Sequence, residues 1–267
     1  MEIINPNIPR GHIRVAIFDF DGTLSLLREG WTRIMQAQMF DALMQTPQHV
    51  DKAALRQFIS DVIYQTAGQQ TIYQMIRFAE EIEKRGGTPK TPQAYLDDFT
   101  NRLLAQVNER VTVIRSGAVS AQDWLVPGSI EFLQTLRARN VVCYIASGTS
   151  ESYVRDEAEL LGIAPFFTDI FGAHADYKNH SKKIIIGNIV GKHSLGNGEL
   201  VTFGDGTPEI ADTKAVGGIG IGVATNEASR KGVNVQKRAA LIQAGADIII
   251  PDFSEHNELM VYLFSGL

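Results

Sequence analysis

Apolar positions along this chain follow two rhythms, and the change between them divides it. Val15-Ala16-Ile17-Phe18 is a short unbroken apolar run that stops at Asp19-Phe20-Asp21-Gly22-Thr23. A run of that length, β-branched and halted by acids and a glycine, predicts a buried strand. From about residue 26 to 124 the spacing turns helical, with no convincing strand. Ile72, Met75, Ile76 and Ala79 share one face of a helix that stops at Gly86-Gly87. Thr91-Pro92 opens another, with threonine as N-cap and proline in the first turn, and Leu96, Phe99, Leu103 and Val107 form its stripe. Segments near 27–45 and 52–67 bring the total to about four helices, enough for a small bundle with its own core.

From Pro127 onward helical and strand patterns alternate. Helices are expected at 129–138, 151–161, from about 181, at 208–216, at 235–244 and at the end of the chain. Strands are expected at 141–146, 169–172, 200–204, 218–223 and 246–250. Alternation of this kind predicts an α/β fold, a Rossmann-like parallel sheet with helices on both faces. The expected organisation is an α/β core built from residues 1–25 and 125–267, with residues 26–124 inserted as a helical bundle. In an open parallel sheet, ligands bind beyond the carboxyl ends of the strands, so chemistry is sought there.

Acids collect at those ends. The pleat has period two, so Asp19 and Asp21 leave the first strand on the same side. Two carboxyls that close cannot titrate alike: one can stay ionised as nucleophile or metal ligand while repulsion raises the proton affinity of the other. The second strand ends in Ser147-Gly148-Thr149 just before a helix, where a hydroxyl and free amides suit an oxyanion. Ser181-Lys182-Lys183 places lysine in the first turn of a helix, against its dipole, which calls for a negative site opposite. Lys182 stands 23 positions before Asp205, room for one helix, one loop and one strand, and this spacing favours it over Lys183. Asp205 ends the strand Leu200-Val201-Thr202-Phe203-Gly204, with Glu209 one helical turn beyond. Hard oxygens in this number suit Mg²⁺.

Other chemistries are disfavoured. His174, His180 and His193 have neither zinc-ligand spacing nor cysteine partners and read as surface or loop residues. Gly187-Asn188-Ile189-Val190-Gly191-Lys192-His193-Ser194 misses the phosphate-loop pattern by one residue and ends a helix where such a loop follows a strand. Gly217-Gly218-Ile219-Gly220-Ile221-Gly222 reads as a close-packed strand. The single cysteine, Cys143, lies in an apolar run and is expected to be an inert buried thiol.

Composition narrows the partners. With 267 residues, 44% hydrophobic and 21% charged, the chain can bury a sizeable core. A net charge of −5, with 11 basic and 11 acidic residues in the helical insertion, argues against a nucleic-acid or anionic-membrane surface. The expected partner is a small soluble molecule, and the oligomeric state is left open. No apolar run is long enough to span a membrane and the first residues are no signal peptide, so the expected location is the cytoplasm.

Asp19-Phe20-Asp21-Gly22-Thr23, Ser147-Gly148-Thr149, Lys182 and Gly204-Asp205-Gly206-Thr207-Pro208-Glu209, in this order and spacing, resemble the four motifs of the haloacid dehalogenase superfamily. The helical insertion after the first motif is similar to the cap of the subgroup that includes phosphoglycolate phosphatase and β-phosphoglucomutase. The resemblance implies an Mg²⁺-dependent phosphatase of small phosphorylated metabolites. It implies Asp19 as nucleophile forming an aspartyl-phosphate and Asp21 as acid and then base. It further implies Asp19, Asp205 and the carbonyl of Asp21 as metal ligands, Glu209 as a direct or outer ligand, and Ser147, Gly148 and Lys182 around the phosphoryl oxygens. An acid at Asp21 points to phosphate esters, because dehalogenases and phosphonate-cleaving relatives lack one there. A sugar-phosphate mutase would keep the same residues, and a non-catalytic phosphometabolite-binding protein is a second alternative. Arg28, Trp31 and Arg33, early in the cap, are further candidates to face the leaving group.

Overall fold

The strands are β1 (Glu2–Ile3), β2 (Val15–Phe18), β3 (Val142–Ser150), β4 (Asp169–Ala173), β5 (Leu200–Gly204), β6 (Ile219–Val223) and β7 (Ile248–Ile250). They belong to a computed structural model that describes residues 1–48, 51–66, 70–174 and 181–265, Tyr64 by its backbone. His180 lies outside the described residues. One sheet forms in the order β1-β7-β6-β5-β2-β3-β4, parallel from β7 to β4. The edge strand β1 is antiparallel to β7 and was not expected from the sequence. Two residues are too few to show a period, and Glu2 is fixed by Arg238, which donates to it at 2.7 and 2.5 Å.

The strand order places a switch point at the centre. From β2 the chain steps outward through β3 to β4, then returns to the other side of β2 for β5, β6 and β7. The carboxyl ends of β5, β2 and β3 therefore lie side by side, where a doubly wound sheet opens its crevice. Alternate residues face opposite layers. Ala16 and Phe18 pack under α5 (Ser129–Ala138), α6 (Glu151–Leu160) and α10 (His256–Phe264), while Val15 and Ile17 meet α7 (Lys182–His193). Helices α8 (Thr207–Ala215) and α9 (Val235–Gln243) bury Ile210 and Leu241 against Ile249. Phe18 and Phe203, the residues just before the two acidic turns, stack at 4.7 Å, and Phe132 stacks on Phe253 at 5.0 Å below them. Such pairs contribute roughly 0.5–1.5 kcal/mol each beyond burial, so the strand ends that carry the acids stand on a stiff floor. Cys143 is buried in this layer, and burial pushes its thiol up to about 12, consistent with an inert side chain.

Helices α1 (Trp31–Leu43), α2 (Lys52–Gln65), α3 (Thr71–Lys84) and α4 (Pro92–Arg115) bury Met35, Ile63, Phe78 and Phe99 in a hydrophobic cluster of their own. Helix α1 starts later than the apolar pattern indicates, because Gly30 precedes it with φ 89°, which breaks the helical path. Helix α4 runs past Val107 to Arg115, there being no glycine or proline before Gly117. The chain enters and leaves these helices as a short antiparallel pair: Leu26 N–H donates to Trp124 at 2.8 Å and Val126 N–H to Leu24 at 2.9 Å. Arg110 on α4 clamps the entry, donating to the carbonyls of Leu27 and Glu29 at 2.7 and 2.9 Å while its guanidinium lies 4.8 Å from the Trp124 ring.

Candidate active site

Strand β2 ends at Phe18 and the next residue, Asp19, still bonds to the sheet through its N–H to the Phe203 carbonyl at 2.8 Å. The chain then tightens: the Phe20 carbonyl accepts from Leu24 and Ser25, both at 2.9 Å. Gly22 holds φ +75°, and a Cβ there would lie 2.3 Å from Asp205 Oδ2, so this position takes only glycine. Close approach of the two acidic turns thus depends on a residue without a side chain.

The acids meet over a lysine. Lys182 Nζ lies 2.8 Å from Asp19 Oδ2 and 3.0 Å from Glu209 Oε2, all three side chains buried. Lys183 is exposed. The first-turn position of Lys182 in α7 is compensated as its sequence context demands, with Ser181 capping the helix. Asp19, Asp205 and Glu209 each offer a carboxylate oxygen within 4.8 Å of the others. Burial pushes the Asp19 carboxyl well above the usual range, the Lys182 ammonium opposing it and the Glu209 and Asp205 charges adding to it. Asp205 is likewise raised by burial, with Lys237 opposing. Glu209 is held low: burial works against its charge, but Lys182 and the Gly206 N–H, which donates to Oε1 at 2.8 Å, prevail. Asp19 and Glu209 share Lys182, while the partly buried Asp205 shares Lys237 with Glu227. Four carboxylates against two ammoniums leave negative charge uncompensated, and the hard oxygens of Asp19, Asp205 and Glu209 fit a divalent cation.

Asp21 points elsewhere. Its Oδ2 accepts from the Thr149 hydroxyl at 2.7 Å and its Oδ1 lies 3.3 Å from Arg28 Nε without forming a hydrogen bond. Burial raises its pKa, with Arg28 and then the Thr149 hydroxyl opposing. Arg28 is buried and also paired with Glu157 of α6, whose carboxyl burial pushes up to about 7. Ser147 is buried at the end of β3, its hydroxyl accepting from the Thr149 N–H at 3.1 Å. The strand runs on to Ser150, and its pairing with β4 skips from Ala146 to Ser150, which frees Ser147 and Gly148 to border the site. One cavity of about 360 Å³ joins Asp19, Asp21, Ser147, Gly148, Lys182 and Asp205 to a wall formed by the helical insertion. Trp31 and Arg33 border the same cavity.

Two partners escaped the sequence reading. Lys237, the third residue of α9, bridges Asp205 Oδ2 and Glu227 Oε1, each at 2.5 Å. Its signal is the one that exposed Lys182, a lysine in a helical first turn. Glu157 shares a helical face with Val154, Ala158 and Leu161, and a carboxyl on an apolar stripe requires a partner.

Solved structures with this fold include a predicted phosphoglycolate phosphatase from Haemophilus somnus, 18% identical, with a TM-score of 0.62 over 93% of this chain and 98% of that one. A predicted phosphatase from Clostridium acetobutylicum is 17% identical, TM-score 0.62, over 94% and 99%. A β-phosphoglucomutase from Clostridium difficile is 14% identical, TM-score 0.59, over 94% and 97%. A search of curated proteins gave no match. Residues 13–217 match the model of the haloacid dehalogenase-like hydrolases, and with all four motif stretches inside that span and gathered at one sheet edge, the chain belongs to this family.

Proposed function

We propose that this protein is a Mg²⁺-dependent phosphatase that hydrolyses a small phosphorylated metabolite in the cytoplasm through an aspartyl-phosphate on Asp19. The observation that carries the reading is Lys182 Nζ at 2.8 Å from Asp19 and 3.0 Å from Glu209, with Asp205 in the same acidic cluster. A divalent cation held by Asp19, Asp205 and the Asp21 carbonyl would neutralise phosphoryl oxygens and keep Asp19 ionised. Glu209 has both oxygens engaged, by Lys182 and by the Gly206 N–H, which favours an outer role for it.

Asp19 attacks phosphorus in line: its carboxylate oxygen forms the new bond to phosphorus as the bond to the alcohol oxygen breaks. Asp21, its pKa raised by burial, supplies the proton to that leaving oxygen and then removes one from the water that attacks the acyl phosphate. The second attack breaks the bond between phosphorus and Asp19 and releases inorganic phosphate. Thr149 and Arg28 orient the Asp21 carboxyl, the hydroxyl donating to Oδ2 and the guanidinium 3.3 Å from Oδ1. Ser147, Gly148 and Lys182 hold the phosphoryl oxygens. Residues 26–124 act as a cap that excludes bulk water and selects the alcohol, while residues 1–25 and 125–267 form the core. The test is phosphate release from a panel of phosphate monoesters with Mg²⁺, with Asp19→Asn as control. Release by wild type and none by the variant is expected; equal release by both would refute the covalent route.

A further inference from the structure

The wall facing Asp19 carries a second message, and it rests on the phosphatase reading above. We propose that the alcohol released bears no negative charge and turns a largely apolar face, of ring or short-chain size, towards the cap. On the cap side the cavity is bounded by Trp31, Ile63, Phe99 and Leu103, with Thr32, Thr71 and Gln74 as its uncharged polar groups. Gln74 is buried and donates its amide to Thr66 at 2.9 Å, so its position is set before any ligand arrives. A volume of about 360 Å³ lies at the small end of the roughly 300–1,000 Å³ usual for small-molecule sites, so little room remains beyond the phosphoryl group.

Charge supports the same conclusion. Among the described residues every cation that borders the cavity already faces carboxylates. Arg28 is shared by Asp21 and Glu157 and Lys237 by Asp205 and Glu227, while Lys182, between Asp19 and Glu209, is committed to the transferred phosphoryl group. Arg33 sits at the outer rim, its side chain 73% exposed and 3.4 Å from Glu29. A carboxylate or second phosphate on the alcohol would therefore meet Glu29 and Glu227 or an apolar wall, and desolvating it there without a partner is costly. A mutase, which must hold a bisphosphate, is disfavoured for this reason.

The experiment compares three esters of primary alcohols, matched in leaving-group chemistry: benzyl phosphate, glycerol 3-phosphate and phosphoglycolate, with a hexose bisphosphate as fourth probe. The expected kcat/KM for benzyl phosphate exceeds that for glycerol 3-phosphate by about tenfold and that for phosphoglycolate by about a hundredfold. Trp31→Arg should shift the ratio towards phosphoglycolate. A binding readout stands beside turnover: in Asp19→Asn with Mg²⁺, benzyl phosphate should quench Trp31 fluorescence at lower concentration than phosphoglycolate, and Trp31→Phe should remove the signal. Preference for phosphoglycolate or the bisphosphate overturns this inference and leaves the phosphatase reading intact. Hydrolysis of none of the four sinks both.

Discussion

Replacing Lys182 by methionine keeps most of the side chain's bulk and removes its charge. In the folded protein that charge sits 2.8 Å from Asp19 and 3.0 Å from Glu209, both buried. Deleting one partner of a buried ion pair costs about 3–5 kcal/mol because the remaining charge is stranded. The loss should be fullest in EDTA at pH 7.5, read as the urea midpoint followed by circular dichroism. Lys182 has a raised pKa, so its contribution is complete below its unfolded value of 10.5 and constant across the pH range used. Asp19 has a folded pKa above its unfolded value of 3.8; it favours the fold below that value and opposes it as pH rises through the folded pKa. Without Lys182 that folded pKa climbs further and the penalty at pH 7.5 grows. Glu209, held low by Lys182 against the effect of burial, contributes above its unfolded value of 4.5 and loses that contribution as pH falls. Both effects act in one direction, so the gap between wild type and Lys182→Met should narrow as pH drops towards 5. A variant within about 1 kcal/mol of wild type at both pH values would refute the assignment of Lys182 as the cluster's counter-ion.

In Asp21→Asn, p-nitrophenyl phosphate, whose leaving group needs no proton, should still give a burst of nitrophenolate while steady turnover falls about 10²–10⁴-fold. Loss of burst and turnover alike would remove Asp21 from acid–base duty. For Glu157, burial lifts the pKa from 4.5 to about 7. Its contribution is therefore present below pH 4.5 and lost as pH rises through about 7. Wild type should lose on the order of 3 kcal/mol relative to Glu157→Gln across that interval, measured by denaturation at several pH values. Parallel pH profiles would show that Arg28 keeps Glu157 ionised throughout.

Local features were legible and long-range ones were not. The acidic turns after β2 and β5 were readable because an apolar run ending in carboxylates is a contiguous pattern. Lys182 was readable because its helix start was visibly at odds with its charge. The same logic applied to Lys237 would have found it, but Asp205 and Glu227 lie 32 and 10 positions away and nothing local joins the three. Arg28 stood out as a cap residue, yet its pairing with Glu157, 129 positions on, depends on how α6 packs against β3. Strand β1 was missed because its place is set by pairing with β7, not by its own two residues.

In the proposed reaction phosphorus passes through Asp19. Enzyme turning over a phosphate ester with Mg²⁺ can be quenched in acid, reduced with borohydride and mapped by peptide mass, which converts an acyl phosphate at an aspartate to homoserine. The expected result is homoserine at position 19, absent when substrate is omitted. Homoserine at another acid, or continued phosphate release by Asp19→Asn, would contradict it.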